Sequence, residues 1–295
     1  MAFQQITVVG VGLIGGSFAL GARQAGFRGT IVGCDRPEVL ARAQQRQAID
    51  AGCADPVKAV RDSDLIMLAT PVGAIIDFLE QASIFPSHAL ITDVGSTKAL
   101  VVERARAVLG SDAATRFLPG HPMAGKELSG VEQADPDLFR NALWLITPLN
   151  CAASKRKGPG SPAGRALRAG AAGEFLALVE SMGARVLEME AQRHDRLCAW
   201  VSHLPQMMAT ALAATLEDEF QNDPELASIG GRALREMTRI ASSPYSMWRD
   251  IALTNAPHIQ EALLRLEQRL AHIRENLGTR ELAREFATAQ KFRQK

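Results

Sequence analysis

The chain lacks an excess of charge of either sign. Its 295 residues include 33 lysines and arginines and 32 aspartates and glutamates, so the formal net charge is +1. Proteins that bind nucleic acid or an anionic membrane surface usually carry a clear excess of basic residues. The charge balance therefore predicts no nucleic-acid partner and no membrane partner. The length allows two domains, each with its own core.

Cysteine is also scarce, and the few cysteines are far apart. The chain has 4 of them, and none forms a CxxC pair: Cys34, Cys53, Cys151 and Cys198. Such spacing is typical of a reduced intracellular protein and predicts neither a disulfide framework nor a zinc site. We therefore expect a cytoplasmic protein without a metal ion.

Two uncharged stretches do not have the composition of membrane segments. Residues 1–22 contain several glycines and no basic segment, so they do not resemble a signal peptide. Residues 197–216 are interrupted by Ser202, His203 and Pro205, which favours a buried helix of a globular domain.

What the sequence does contain is a glycine-rich motif after a short β-branched run, residues 6–9. The motif residues expected to bind a cofactor are Gly10, Gly12, Leu13, Ile14 and Gly15. Gly10 permits a tight turn, Gly12 lets the backbone approach a pyrophosphate, and Gly15 lets the helix pack against the strand. The free N–H groups at the start of the following helix favour phosphate. The motif predicts a dinucleotide-binding site.

A second predicted strand, residues 30–34, ends at Asp35. A carboxylate at this position accepts hydrogen bonds from the ribose hydroxyls and repels a 2′-phosphate. NAD is therefore expected rather than NADP. Arg36 weakens this preference, because its guanidinium could stack on adenine or pair with the 2′-phosphate.

Strands and helices continue to alternate. Residues 64–71 are predicted as a buried strand ending in a proline turn, residues 72–81 as a helix and residues 89–93 as the next strand. This alternation predicts a Rossmann-type, doubly wound parallel sheet. Ligands bind at the carboxyl ends of such strands. The segments expected to meet at that edge are Thr70-Pro71, Ser96 and the turn at His121.

His121 is the candidate proton acceptor. It lies in residues 120–125 (GHPMAG), whose glycines and proline are typical of a tight loop rather than a helix or strand. An imidazole with an ordinary pKa of about 6.5 can accept a proton near neutral pH. An oxidoreductase needs such a group near its cofactor.

From about residue 191 the strand signals disappear, and an all-helical domain is predicted. Residues 150–173 have the composition of a solvated loop, and residues 184–189 are expected to add a last strand to the sheet. The predicted domains are therefore residues 1–189 and 190–295.

The helix after Arg196 is predicted to pack through one apolar stripe: Leu197, Val201, Leu204, Met208, Ala211 and Thr215. Its other face carries His203 and Gln206 and suits a pocket wall, and Pro205 is expected to bend the helix. A later heptad pattern over residues 259–277 favours packing in a homodimer.

Six motifs occur together, spread over most of the chain: residues 10–17 (GVGLIGGS), 93–98 (DVGSTK), 120–125 (GHPMAG), 202–205 (SHLP), 238–241 (TRIA) and 247–251 (MWRDI). In this combination the chain resembles the prephenate/arogenate dehydrogenases of tyrosine biosynthesis. The resemblance implies an NAD-dependent oxidative decarboxylation that converts prephenate to 4-hydroxyphenylpyruvate, CO2 and NADH. It also implies an intertwined dimer through an all-helical dimerisation domain.

The resemblance assigns roles to individual residues. It implies that His121 accepts the proton of the ring hydroxyl, that Ser96 orients this imidazole or contacts substrate and nicotinamide, and that Arg239 binds a substrate carboxylate. It implies a substrate-pocket role for His203 and a place for Trp248 near the active site and subunit interface. Gln206 stands where many prephenate-using members carry a second histidine, so the choice between prephenate and arogenate stays open.

Two other functions remain as alternatives. A β-hydroxyacid-type dehydrogenase relies on a lysine in its helical domain, and residues 190–250 contain none. A non-catalytic NAD-binding sensor would have no need for Ser96, His121 and Arg239 together.

Overall fold

The computed structural model describes residues 3–149, 168–221 and 223–294. Most of the loop predicted over residues 150–173, together with Cys151, lies outside the described residues. The described end of that segment differs from the prediction, because a helix already begins at Gly170.

The N-terminal half is built on a six-stranded sheet in the order β3-β2-β1-β4-β5-β6, with every neighbouring pair parallel. Its strands are β1 (Gln5–Val9), β2 (Thr30–Cys34), β3 (Ala51–Gly52), β4 (Leu65–Leu68), β5 (Leu90–Asp93) and β6 (Phe117–Leu118). The accompanying helices are α1 (Leu13–Gln24), α2 (Pro37–Gln45), α3 (Pro56–Val60), α4 (Val72–Glu80), α5 (Ala99–Leu109) and α6 (Ala113–Arg116). The predicted doubly wound sheet is confirmed.

Successive residues of the central strands enter two different cores, one on each face of the sheet. In β4, Leu65 and Met67 belong to one buried cluster, whereas Ile66 and Leu68 belong to the other. This two-residue period explains why the strand is a continuous apolar run, since both faces are covered by helices. The sheet is therefore a rigid base for the loops at its carboxyl edge.

A second, three-stranded sheet corrects two predictions. It contains β7 (Gly120–Pro122), β8 (Leu143–Ile146) and β9 (Arg185–Glu188), in the order β7-β8-β9. His121 therefore lies in a strand, opposite Leu145, and not on the predicted loop. The strand predicted over residues 184–189 exists, but it pairs with β8 and does not extend the large sheet.

The rest of the described chain is helical. The helices are α7 (Gly170–Ser181), α8 (Ala191–Cys198), α9 (Leu204–Phe220), α10 (Pro224–Ile229), α11 (Gly231–Thr238), α12 (Tyr245–Thr254), α13 (Ala256–Glu275) and α14 (Arg280–Arg293). A π-helical turn, Ala199–His203, joins α8 to α9 at the place where a bend was predicted. Pro205 has no N–H to donate back along the helix, which favours such an irregular turn. No helix in the described ranges is long and apolar enough to cross a bilayer.

The first turns of the predicted packing face of this helix are exposed in the single chain. Leu197 is 39% exposed and Val201 is 64% exposed. The opposite side is the buried one, since His203 and Gln206 are 1% and 4% exposed. Burial of polar groups requires hydrogen-bond partners, and the helical half supplies them around the site described next.

Two carboxylates of the helical half cap helices of the sheet half. Asp195 of α8 accepts hydrogen bonds from the Lys98 and Ala99 N–H groups at 2.7 and 2.8 Å, at the start of α5. Asp250 of α12 accepts one from the Gly73 N–H at 3.0 Å, at the start of α4. Negative charge at a helix N-terminus is stabilising. The two halves are thus joined by charge-assisted hydrogen bonds at both helices.

Candidate active site

The glycine-rich turn has the geometry that a pyrophosphate requires. Gly10 has a φ of +91°, and a Cβ there would lie 2.6 Å from the Ala69 carbonyl oxygen. A Cβ at Gly15 would meet the Gly10 carbonyl oxygen. Gly12, by contrast, has open space around it and forms the N-cap of α1 without a side-chain cap. A phosphate can therefore approach the free N–H groups of the helix.

Asp35 is held in place by the backbone at the end of β2. Its Oδ2 accepts a hydrogen bond from the Val11 N–H at 2.8 Å, and its Oδ1 accepts one from the Arg36 N–H at 2.7 Å. It lines a smaller cavity with Gly10, Arg36 and Thr70. The Arg36 side chain is 75% exposed and lies 3.4 Å from Glu38. The residues present thus fit the adenosine end of a dinucleotide, with a fixed carboxylate for the ribose.

Replacing Asp35 by alanine is expected to reduce the preference for NAD over NADP by about 10- to 100-fold, the worth of a hydrogen bond to a charged group. The measurement is the ratio of kcat/KM for the two cofactors. Glu103→Ala removes an exposed carboxylate of α5, away from this cavity, and serves as the control. An unaltered ratio in the Asp35 variant would refute the assigned role.

A larger cleft of about 610 Å³ lies between the two halves. It brings together residues that are distant in the sequence, and the predicted site residues on its wall are Gly12, Leu13, Ile14, Thr70, Pro71, Ser96, His121 and Trp248. The glycine-rich turn, the ends of β4 and β5, and the helical half therefore share one cavity. Such a cleft can hold a nicotinamide and a small substrate side by side.

The His121 ring begins a chain of hydrogen bonds that ends on a buried carboxylate. His121 Nδ1 lies 2.9 Å from His194 Nε2, and His194 Nδ1 lies 2.8 Å from Asp195 Oδ1. An ionised carboxylate can only accept, so the proton in the second bond belongs to His194 Nδ1. His194 Nε2 is then the acceptor of the His121 Nδ1 proton. This assignment leaves His121 Nε2 with a free lone pair.

Both imidazoles are neutral near pH 7. Burial, reinforced by the neighbouring His194, holds the pKa of His121 well below its usual value. Burial also lowers the pKa of His194, although Asp195 opposes this effect. A neutral imidazole with a free lone pair can accept a proton from a hydroxyl in the cleft. The arrangement is chemically that of a general base.

A buried ion pair supports the backbone on either side of this base. Lys98 Nζ pairs with Asp93 Oδ2, and both side chains are fully buried. Asp93 Oδ2 also accepts from the Gly95 N–H at 2.8 Å, and Asp93 Oδ1 accepts from the Gly120 N–H at 3.3 Å. The pair therefore fixes the end of β5 and the residue directly before His121.

Ser96 lies on the same cleft wall but is not the orienting partner of the imidazole. Within the described part of the chain, the ring of His121 forms its hydrogen bond with His194. Contact of Ser96 with substrate or nicotinamide remains a prediction.

His203 is buried and packs against Trp248, a half-buried residue of the cleft wall. Their ring centroids are 5.8 Å apart in an edge-to-face arrangement. His203 Nδ1 accepts a hydrogen bond from Asn255 Nδ2 at 3.2 Å, which places the ring proton on Nε2. Burial lowers the pKa of His203 to about 4, so the ring is neutral. His203 Nε2 and Trp248 Nε1 are buried N–H groups without a partner in the described ranges.

Arg239 and Gln206 do not lie on the cleft wall. Arg239 is exposed and forms an ion pair with Glu127, a residue that does line the cleft. The Gln206 amide donates to the Ile240 carbonyl at 3.0 Å and to Thr210 Oγ1 at 3.2 Å. Gln206 therefore fixes the turn that carries Arg239 and does not itself reach a ligand in the cleft.

The residues that connect to His121 were the ones the sequence failed to identify as functional. The dipeptide His194-Asp195 resembles one found in the family, but a structural hydrogen bond was the preferred interpretation. Lys98 lies in the motif of residues 93–98 and Asn255 follows the motif of residues 247–251, and neither was assigned a role. Only the fold places these polar residues together, 0–2% exposed, behind the cleft.

Comparisons with known proteins agree over both halves. Residues 18–156 match the prephenate dehydrogenase nucleotide-binding domain, and residues 190–290 match the prephenate dehydrogenase dimerization domain. The chain is 33% identical to the prephenate dehydrogenase of Lactococcus lactis, covering 92% of this chain and 70% of that relative. It is 32% identical to the Bacillus subtilis prephenate dehydrogenase, over 98% of this chain and 75% of that relative. The structure is also similar to a crystal structure of Aquifex aeolicus prephenate dehydrogenase with hydroxyphenyl propionate and NAD+. The TM-score is 0.81 and the identity 32%, over 100% of this chain and 97% of that chain.

Proposed function

Because the chain belongs to the prephenate dehydrogenase family, we propose that it oxidises prephenate with NAD and releases CO2, 4-hydroxyphenylpyruvate and NADH. The observation that carries this proposal is the neutral His121 with an available Nε2, in one cleft with the dinucleotide-binding turn. A reaction that removes a hydroxyl proton and a hydride from one carbon needs these two features together.

His121 Nε2 accepts the proton of the ring hydroxyl, and the hydrogen bond from its Nδ1 to His194 keeps the lone pair in place. When bound, NAD accepts the hydride from the same ring carbon. Loss of the ring carboxylate as CO2 then makes the ring aromatic, which supplies most of the driving force. The protein therefore acts mainly by orienting the substrate and by stabilising alkoxide character at the hydroxyl oxygen.

The other predicted residues complete the substrate site in this proposal. Arg239 leaves Glu127 and pairs with a substrate carboxylate at the mouth of the cleft, since arginine binds carboxylates through two hydrogen bonds. The unpartnered N–H groups of His203 and Trp248 face substrate oxygen atoms. Ser96 contacts the substrate or the nicotinamide.

The proposal is tested with the purified protein, NAD and either prephenate or arogenate, by following NADH absorbance and CO2 release together. We expect stoichiometric NADH and CO2 with prephenate and a lower kcat/KM with arogenate. A β-hydroxyacid serves as the negative control. Absence of turnover with both cyclohexadienyl substrates would refute the proposal.

Replacing Arg239 by glutamine is expected to raise the KM for prephenate by about 10- to 100-fold, because the lost partner is a charged hydrogen bond of roughly 1.5–3 kcal/mol. kcat should change less than KM. The exposed Arg235 is the matched control, and Arg235→Gln should leave both constants unchanged. An unaltered KM in the Arg239 variant would mean that another cation binds the carboxylate.

We also propose a homodimer through residues 190–295, with the domain boundary at residue 190. Apolar side chains in this half are exposed in the single chain, including Leu253 at 73%, Leu270 at 54% and Leu277 at 64%. Apolar surface of this kind marks an interaction site. Light scattering should give twice the mass of the chain, and the mass of one chain at micromolar concentration would contradict the proposal.

A further inference from the structure

Three donor atoms that bind soft metal ions meet behind the cleft. One ligand atom from each of His121, His194 and Cys198 lies within 4.8 Å of the other two. His121 Nδ1 and Cys198 Sγ are both close to His194 Nε2. The three side chains are 8%, 0% and 1% exposed. His194 and Cys198 are one helical turn apart on α8, so both point to the same side, and β7 brings His121 to them. The cysteine spacing alone predicted no such cluster, because two of its members are histidines.

Two of the distances within the cluster can be compared with those of a tetrahedral zinc site. Zn–N bonds of about 2.05 Å and a Zn–S bond of about 2.3 Å place a ligating nitrogen and sulfur about 3.6 Å apart. Cys198 Sγ and His194 Nε2 are 3.6 Å apart. His121 Nδ1 and His194 Nε2 are 2.9 Å apart and would have to separate by about half an ångström.

The surroundings of the cluster suit a divalent cation. His194 Nδ1 donates to Asp195 Oδ1 at 2.8 Å, and a carboxylate is one of the usual partners for the second nitrogen of a metal-ligating histidine. This bond leaves His194 Nε2 as a ligand atom. The charges also balance: those of the cation and Lys98 equal those of Asp93, Asp195 and a Cys198 thiolate. A buried cation here would not carry uncompensated charge.

We propose that His121, His194 and Cys198 form a binding site for a thiophilic divalent cation, Zn²⁺ or Co²⁺, and that the bound cation inactivates the general base. As the Sγ–metal bond forms, the Cys198 thiol releases one proton to solvent. The cation takes the Nδ1 lone pair of His121, so the ring proton moves to Nε2. Nε2 then becomes a donor and can no longer accept a proton from a substrate hydroxyl.

The binding step is tested with Co²⁺, which gives an absorption band when a thiolate ligates it. Titration of the wild-type protein should produce a thiolate-to-cobalt band that saturates at one ion per chain, with release of one proton. Cys198→Ser should lose the band. Cys53→Ser, which removes a half-buried thiol outside the cluster, should keep it. A wild-type protein without the band, or a Cys198→Ser variant that retains it, would overturn the proposal.

The inactivation step rests on the proposed function and is tested separately. Zn²⁺ should lower kcat and leave the KM values for NAD and prephenate nearly unchanged, and a chelator should restore activity. Cys198→Ser should need at least about 10-fold more Zn²⁺ for the same loss, as expected when a metal site is weakened. Equal sensitivity of the variant would overturn this step. If the protein had no dehydrogenase activity, the cobalt spectrum would still report the site.

Discussion

Replacing His121 by asparagine is expected to lower kcat by about 10²- to 10⁴-fold, the usual contribution of a general base. The affinity for NAD should stay within about 2-fold, because His121 is not one of the groups that fit the pyrophosphate or the ribose. The measurements are steady-state kcat with prephenate and a direct NAD titration.

The effect on kcat is large because asparagine keeps the hydrogen bond to His194 but cannot accept the hydroxyl proton. Its side-chain amide can still donate to His194 Nε2, where the His121 Nδ1 proton is now received. It offers no basic nitrogen in place of Nε2. The loss in kcat therefore measures proton transfer and not collapse of the site.

The control is His88→Asn, since His88 lies on the surface with a side chain 62% exposed. It should leave kcat and NAD affinity unchanged. A His121→Asn variant with wild-type kcat would show that another group, or water, takes the hydroxyl proton. An equal loss of NAD affinity would show instead that the substitution disturbs the cofactor site.

Replacing Lys98 by methionine is expected to lower the free energy of unfolding by about 3–5 kcal/mol, because it leaves the Asp93 carboxylate buried and unpaired. Lys98 and Asp93 are both 0% exposed, so no water replaces the lost ammonium group. Urea denaturation followed by circular dichroism measures this change. The loss is large compared with the total stability of an ordinary domain.

Two variants separate this effect from the general loss of a lysine. Lys126→Met removes an ion pair with Asp135, 3.0 Å long, whose side chains are 36% and 40% exposed. It should cost less than about 1 kcal/mol. Adding Asp93→Asn to Lys98→Met removes the unpaired charge and should restore part of the stability. Similar small losses for Lys98→Met and Lys126→Met would contradict the importance of burial.

The parts of the fold that the sequence predicted depend on local signals. The strand, the glycine turn, the helix and the acid at Asp35 follow one another within a short segment, and each has its own residue pattern. The strand at His121 depends on a distant partner, since its register is set by β8. Glycine and proline in three residues indicate a turn when this partner is not known.

The same limit applies within the site. The bond between His121 and His194 joins residues 73 positions apart, and nothing in either motif indicates it. The hydrophobic stripe predicted for the helix after Arg196 did not show which side packs within the single chain. The side buried there carries His203 and Gln206 beside Ala199 and Ala209, and His203 is held by Asn255, which lies 52 positions away. The sequence thus indicated the proton acceptor but not the groups that hold it.

The position of Asp195 links the shape of the molecule to the chemical state of its base. The same carboxylate receives the two N–H groups at the start of α5 and the proton of His194. A rotation that separates the two halves would withdraw Asp195 from the two N–H groups of α5, whereas its bond to His194, on the same helix, would remain. His194 would move away with Asp195, and His121 on β7 would lose its acceptor. The tautomer of His121 that leaves Nε2 free is therefore fixed only while the two halves are in contact. Closure around the ligands and orientation of the general base thus occur together.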